Sequence, residues 1–133
     1  MSAYVLDSTV VIDHTRGRHD ASAVVARIIE ETGQVYTCDI ITAEALSGGG
    51  ELERYWIGRF LGALEYIAID PDGARWAGET RRQLQARGRR SPAADALIAA
   101  VAWRMDATIV TRNPADFEPF GVPVLGYGEP IRS

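Results

Sequence analysis

Residues 3 to 14 read AYVLDSTVVIDH, and this stretch decides the fold. Ala3 to Leu6 is a short apolar run, as expected of a strand. Asp7, Ser8 and Thr9 end the run and favour helix starts, so Val10 to His14 reads as a helix. A strand that turns directly into a helix predicts a layered α/β protein, and the rest of the chain repeats the alternation.

Beyond it, Asp20 and Ser22 can open a second helix whose apolar residues Val24, Val25, Ile28 and Ile29 recur at helical spacing up to Gly33. Gln34 to Thr37 reads as a strand, and Asp39 begins a helix that stops at Gly48 to Gly50. Glu51 to Leu64 is predicted helical, Tyr66 to Ile69 a strand, and Asp70-Pro71-Asp72 the start of a helix to about Arg87. Ser91 is the expected N-cap of a further helix, with Pro92 in its first turn and Ile98, Val101 and Met105 on its buried stripe. Thr108 to Val110 and Pro123 to Leu125 read as the last strands. Strands separated by helices pair in parallel, so the expected architecture is a three-layer α/β/α sandwich formed by residues 1–133 as one domain.

Composition agrees with one compact domain: 133 residues, of which 47% are apolar and 24% charged. A chain of this length buries enough surface to fold without disulfides or a structural metal. Cys38 is the single cysteine, and with only His14 and His19 as nitrogen donors no zinc-ligand spacing exists. No apolar run is long enough to span a membrane and the N-terminus lacks a secretion signal, so a cytoplasmic location is expected. Eighteen acidic against fourteen basic residues give a net charge of -4, so the chain as a whole carries no cationic field. Every basic residue is arginine, which removes mechanisms that need a lysine amine.

Ligands of open parallel sheets bind beyond the carboxyl ends of the strands. Asp7 and Ser8 follow the first strand; Thr111, Arg112, Asn113 and Asp116 follow the strand at Thr108 to Val110. Glu44 lies three after Ile41 and four after Ile40, and Asp95 three before Ile98, which by periodicity turns both away from water. Carboxylates brought together on a buried face repel one another unless a cation joins them. Mg²⁺ or Mn²⁺ suits the oxygen donors of Asp7, Glu44, Asp95, Asn113 and Asp116. Each residue has an ordinary alternative. Asp7 can cap a helix, Asp95 can oppose a helix dipole, Glu44 can pair with an arginine, and Asn113 and Asp116 can shape a turn at Pro114.

Four segments, VLDSTVVID at 5–13, TAEAL at 42–46, ADALIAA at 94–100 and IVTRNPADF at 109–117, resemble in order and spacing the motifs of the PIN-domain family. Within that family they are most similar to the VapC toxins of bacterial toxin–antitoxin pairs. The resemblance implies a metal-dependent endoribonuclease with Asp7, Glu44 and Asp95 as central acids and Asp116 beside them. Asn113 stands where the family often has its fourth acid. An RNA substrate, a VapB-like antitoxin and a homodimer are implied with it. Ser8 and Thr111 are then candidate hydroxyl contacts to the substrate. Arg89 and Arg90, at the end of an arginine-rich stretch that begins at Arg75, are candidates to guide its phosphates. Water activated by the ions would leave a 5′-phosphate and a 3′-hydroxyl.

The residues bear on two rival readings. A phosphoacceptor receiver domain also gathers aspartates around Mg²⁺, but relies on a lysine that this chain lacks. A catalytically silent relative that binds RNA or protein is compatible with Asn113. Tyr55, Trp56 and Phe60 cover more than one face of their helix; core packing is the default reading, and one side suits a homodimer or antitoxin interface.

Overall fold

The computed structural model describes residues 2–129. Strand β1 spans Tyr4–Leu6 and is followed by α1 (Ser8–Arg16) and α2 (Ala21–Glu31). Then come β2 (Val35–Cys38), α3 (Asp39–Ala45), α4 (Glu51–Gly62), β3 (Glu65–Ile67) and α5 (Pro71–Ala86). The chain continues through α6 (Ala93–Met105), β4 (Thr108–Thr111), the single turn α7 (Pro114–Phe117), a 3-10 turn at Glu118–Phe120, and β5 (Val124–Gly126).

The five strands form one parallel sheet in the order β3-β2-β1-β4-β5. Parallel strands covered on both faces need continuous apolar sequence, and Val5, Leu6, Ile109 and Val110 at its centre are fully buried. From β1 the chain winds outward to β2 and β3 on one side, then returns to β4 and β5 on the other. The reversal falls between β1 and β4, where diverging connections open a crevice beyond the carboxyl ends. Backbone pairing continues to its lip, where the Asp7 N–H donates to the Val110 carbonyl at 3.0 Å.

Helix α6 runs buried against the sheet, and its small residues let α5 approach closely. Gly73 of α5 sits where an added Cβ would lie 3.7 Å from the Cβ of Ala100 and 3.0 Å from Oδ1 of Asp70. That same Asp70 oxygen accepts from the Gly73 N–H at 2.7 Å and caps α5, as the Asp-Pro-Asp sequence predicts.

The start of α6 differs from the expected Ser91 cap. Pro92 holds the N-cap position, and the Ser91 hydroxyl is buried without a partner. Ser91 is held through its main chain, since Arg81 Nε donates to its carbonyl at 2.7 Å. That bond uses one arginine of the basic stretch for structure. Among the described residues, no helix is long and apolar enough to cross a membrane.

Candidate active site

Asp7 occupies the N-cap of α1, yet its side chain makes no capping hydrogen bond. Its Oδ2 instead accepts from the hydroxyls of Thr111 at 2.9 Å and Thr9 at 3.1 Å. The residue is only 5% exposed, and burial raises its pKa against the lowering pull of those hydroxyls and of the Ser8 and Thr9 amides. No capping bond is formed; the Thr9 and Thr111 hydroxyls hold the Asp7 carboxylate instead.

Glu44 differs from the inward position expected of it. It stands exposed, while Ile41 and Ala45 carry the buried face of α3. Loss of solvent around the carboxylate, followed by the charge of Asp7, still raises its pKa; Ser8 Oγ donates to it at 3.2 Å and opposes the rise. None of the ion pairs among the described residues involves Glu44, so the arginine alternative is not realised.

Asp95 lies in the first turn of α6 and is half-buried. Its pKa is pushed up to about 6, chiefly by desolvation, then by the charges of Asp116, Asp7 and Glu44. Arg90 pulls in the opposite direction. A carboxyl near the positive end of a helix would ordinarily fall, so burial, with like charges added to it, outweighs the dipole here. Geometry agrees: Ser8, next to Asp7, bonds Glu44, and Asp95 and Asp116 line one cleft.

Asn113 is the N-cap of α7, and its side-chain amide donates to Asp116 Oδ2 at 3.0 Å, while its backbone N–H donates to Thr111 Oγ1 at 3.0 Å. Asp116 is thus the charged member of the turn and Asn113 its orienting partner. Arg89 and Arg90 line a cleft of about 190 Å³ together with Pro92, Asp95, Ala115, Asp116 and Pro119.

Two of the expected substrate contacts are engaged elsewhere. Thr111 is wholly buried and gives its hydroxyl to Asp7, which places it behind the carboxylate. The Ser8 hydroxyl is directed at Glu44. As their side chains stand, no three His, Cys, Asp or Glu residues among the described residues converge tightly enough to enclose an ion. Mg²⁺ does not require such a cage, because it retains several waters and is commonly held by one or two carboxylates. The all-oxygen donor set, with acids that form no ion pair among the described residues, fits such an ion.

His14 stands about 10 Å along α1 from Asp7 by helical rise. Its Nδ1 is 2.9 Å from Ser22 Oγ, its ring packs 4.6 Å from that of Phe60, and burial lowers its pKa. It serves packing.

Sequence reasoning missed a second polar cluster. Asp13, 6% exposed, accepts from Arg112 Nη1 at 3.1 and 3.3 Å and from the Tyr127 hydroxyl at 2.8 Å. The signal was present: Asp13 lies three residues after Val10 on the buried face of α1, where a carboxylate requires a partner.

The family model for the PIN domain matches residues 4–118. Ribonuclease VapC19 of Mycobacterium tuberculosis is 29% identical over 116 residues, covering 87% of this chain and 93% of that protein. Among solved structures, DNA-bound VapBC from Salmonella typhimurium aligns with a TM-score of 0.81 at 22% identity, covering 95% of this chain and 98% of that one. VapBC-5 of M. tuberculosis, a member of the VapBC family of toxin–antitoxin systems, aligns at 0.67 and 25% identity, covering 95% and 99%. The parallel sheet, the acids at its switch point and a model match across nearly all its elements place one conclusion beyond the fold itself: this chain belongs to the PIN domain family.

Proposed function

We propose that the chain, read as one nuclease domain over residues 1–133, is a divalent-metal-dependent endoribonuclease and the toxin half of a VapBC-like pair. The carrying observation is the concentration of Asp7, Glu44, Asp95 and Asp116 at the switch point, where desolvation and then the neighbouring charges raise the pKa of Asp95 to about 6. Structural carboxylates are normally paired; these are crowded together.

In this reading Asp7, Glu44, Asp95 and Asp116 hold Mg²⁺ or Mn²⁺, with Asn113 contributing to the same turn. When bound, the cation would make water acidic enough to attack a phosphodiester at neutral pH and would neutralise the charge that develops on the phosphate. Thr9 and Thr111 fix the Asp7 carboxylate, Ser8 steadies Glu44, and Asn113 aims Asp116. Arg89 and Arg90 hold the RNA backbone at the cleft mouth, offsetting the repulsion between its phosphates and the acids.

For the partner, α4 exposes Leu52, Tyr55 and Trp56, with Trp56 53% exposed. Trp56 and Leu52 border a cleft against the end of α1, alongside Arg16 and Arg18. An apolar face flanked by cations suits a VapB-like antitoxin segment, and homodimerisation and a cytoplasmic setting complete the proposal. The looseness of the acid group favours one rival, a catalytically silent PIN module.

Induction of the chain alone in cells, followed by sequencing of RNA ends, separates the two. New ends at defined sites, absent with Asp95→Asn, are expected. An unchanged end profile in cells whose growth is arrested would favour the silent module.

A further inference from the structure

The buried ion pair beside the acids joins two elements that the proposed metal site must hold in register. Asp13 belongs to α1, whose N-cap is Asp7; Arg112 belongs to the link between β4 and α7, which carries Asn113 and Asp116. The two elements are also stitched through the main chain. The Arg112 N–H donates to Thr9 Oγ1 at 3.1 Å, and the Thr9 hydroxyl passes on to Asp7 Oδ2 at 3.1 Å.

Tyr127 adds a third element from beyond β5. Its approach depends on Gly128, which has φ +59° and packs so closely that an added Cβ would lie 3.0 Å from His19 Cβ and 3.6 Å from Arg112 Cδ. Of the Arg112 guanidinium, Nη1 makes the contact with Asp13, at 3.1 and 3.3 Å.

We propose that Asp13, Arg112 and Tyr127 form a clamp that fixes the Asn113–Asp116 turn relative to Asp7 and so sets the affinity of the acid group for a divalent cation. These are positioning residues; they touch neither the ion nor the RNA. The inference rests on the metal-dependent reading above.

The test titrates Mn²⁺ alone into the full-length, metal-free chain by calorimetry, measures RNA cleavage against Mn²⁺ concentration, and follows amide exchange at Arg112, Asn113 and Asp116 without metal. Arg112→Ala should weaken Mn²⁺ binding about 10- to 100-fold, move the half-maximal Mn²⁺ concentration by the same factor, and lower the saturating rate by less. Amide exchange in the turn should quicken. Arg112→Lys should recover most of the affinity, because a single nitrogen makes the native contact. Tyr127→Phe, which removes one hydrogen bond and keeps the ring, should weaken Mn²⁺ severalfold and supplies the reading should Arg112→Ala not fold. Folded variants that bind Mn²⁺ within twofold of the parent chain would overturn the clamp while leaving the metal site standing. A parent chain that cleaves RNA without binding Mn²⁺ would overturn the metal reading first, and the clamp with it.

Discussion

Asp7 and Asp13 stand six positions apart at the two ends of the same short helix, and both are almost wholly buried. Asp13 has a guanidinium at 3.1 Å and a phenol at 2.8 Å. Asp7 has two threonine hydroxyls and the adjoining amides but no cation among the described residues, and its charge raises the pKa of Glu44 and Asp95. The protein thus matches a buried carboxylate fully in one place and leaves another unmatched a helix length away. Where the cation is supplied by the chain, the carboxylate holds structure; where it is not, the site is open for an external one.

The largest effects should separate the two ends by kind. Asp7→Asn, Glu44→Gln and Asp95→Asn are each expected to lower RNA cleavage on the order of a hundredfold or more at limiting Mg²⁺, with folding retained. Full activity in any one would remove that residue from the site. Asp13→Asn should act first on stability, costing about 3 kcal/mol in denaturant unfolding because Arg112 is left buried without its counter-charge, and should reach cleavage only through the weaker metal affinity of a loosened clamp. A loss below about 1 kcal/mol would make the two aspartates equivalent and erase the comparison.

The pH dependence sharpens it. Asp95, with its pKa raised to about 6 in the folded metal-free chain, favours folding when protonated. Its contribution is complete below the ordinary carboxylate range near about 4 and is lost as pH rises through about 6. Asp95→Asn should therefore melt higher than the parent near neutral pH. The gain should be on the order of 1 kcal/mol after allowing for the water that reaches this half-buried group, or about 3–5 °C, and should vanish near pH 4. An equal difference at both pH values would assign the effect to something other than crowded charge.

The smallest effect belongs to the exposed pair between Arg16 and Glu53, 2.8 Å apart at the far end of α1. Arg16→Ala should change stability by less than about 1 kcal/mol, and by less still at high salt. A cost matching that of Asp13→Asn would show that burial is not what distinguishes the pairs.

Much of this was legible in the residues because strand and helix periods and the polar residues after strands follow local rules. The strand-to-helix turn at Leu6 to Ser8 and the acids at both central strand ends are of that kind. What escaped depends on distance in space. Glu44 reads as inward by spacing, but Ile41 and Ala45 take the buried face of α3 and leave it exposed. Ser91 has the chemistry of a cap, yet the bond from Arg81, ten residues earlier, fixes its carbonyl and leaves Pro92 at the cap position. Tyr127 joins a residue 114 positions away, and no window of sequence contains both.

The central claim is that the unmatched acids work through a divalent ion on RNA, and the ends of the products test it most directly. Purified chain, free of any partner, is incubated with single-stranded RNA and Mg²⁺, with and without EDTA, and the fragments are ligated to an adapter that requires a 5′-phosphate. The account predicts direct ligation without kinase treatment and no cleavage in EDTA. Cleavage that persists in EDTA, with fragments that ligate only after kinase treatment, would mean attack by the RNA 2′-hydroxyl and would contradict the role given to Asp7, Glu44, Asp95 and Asp116.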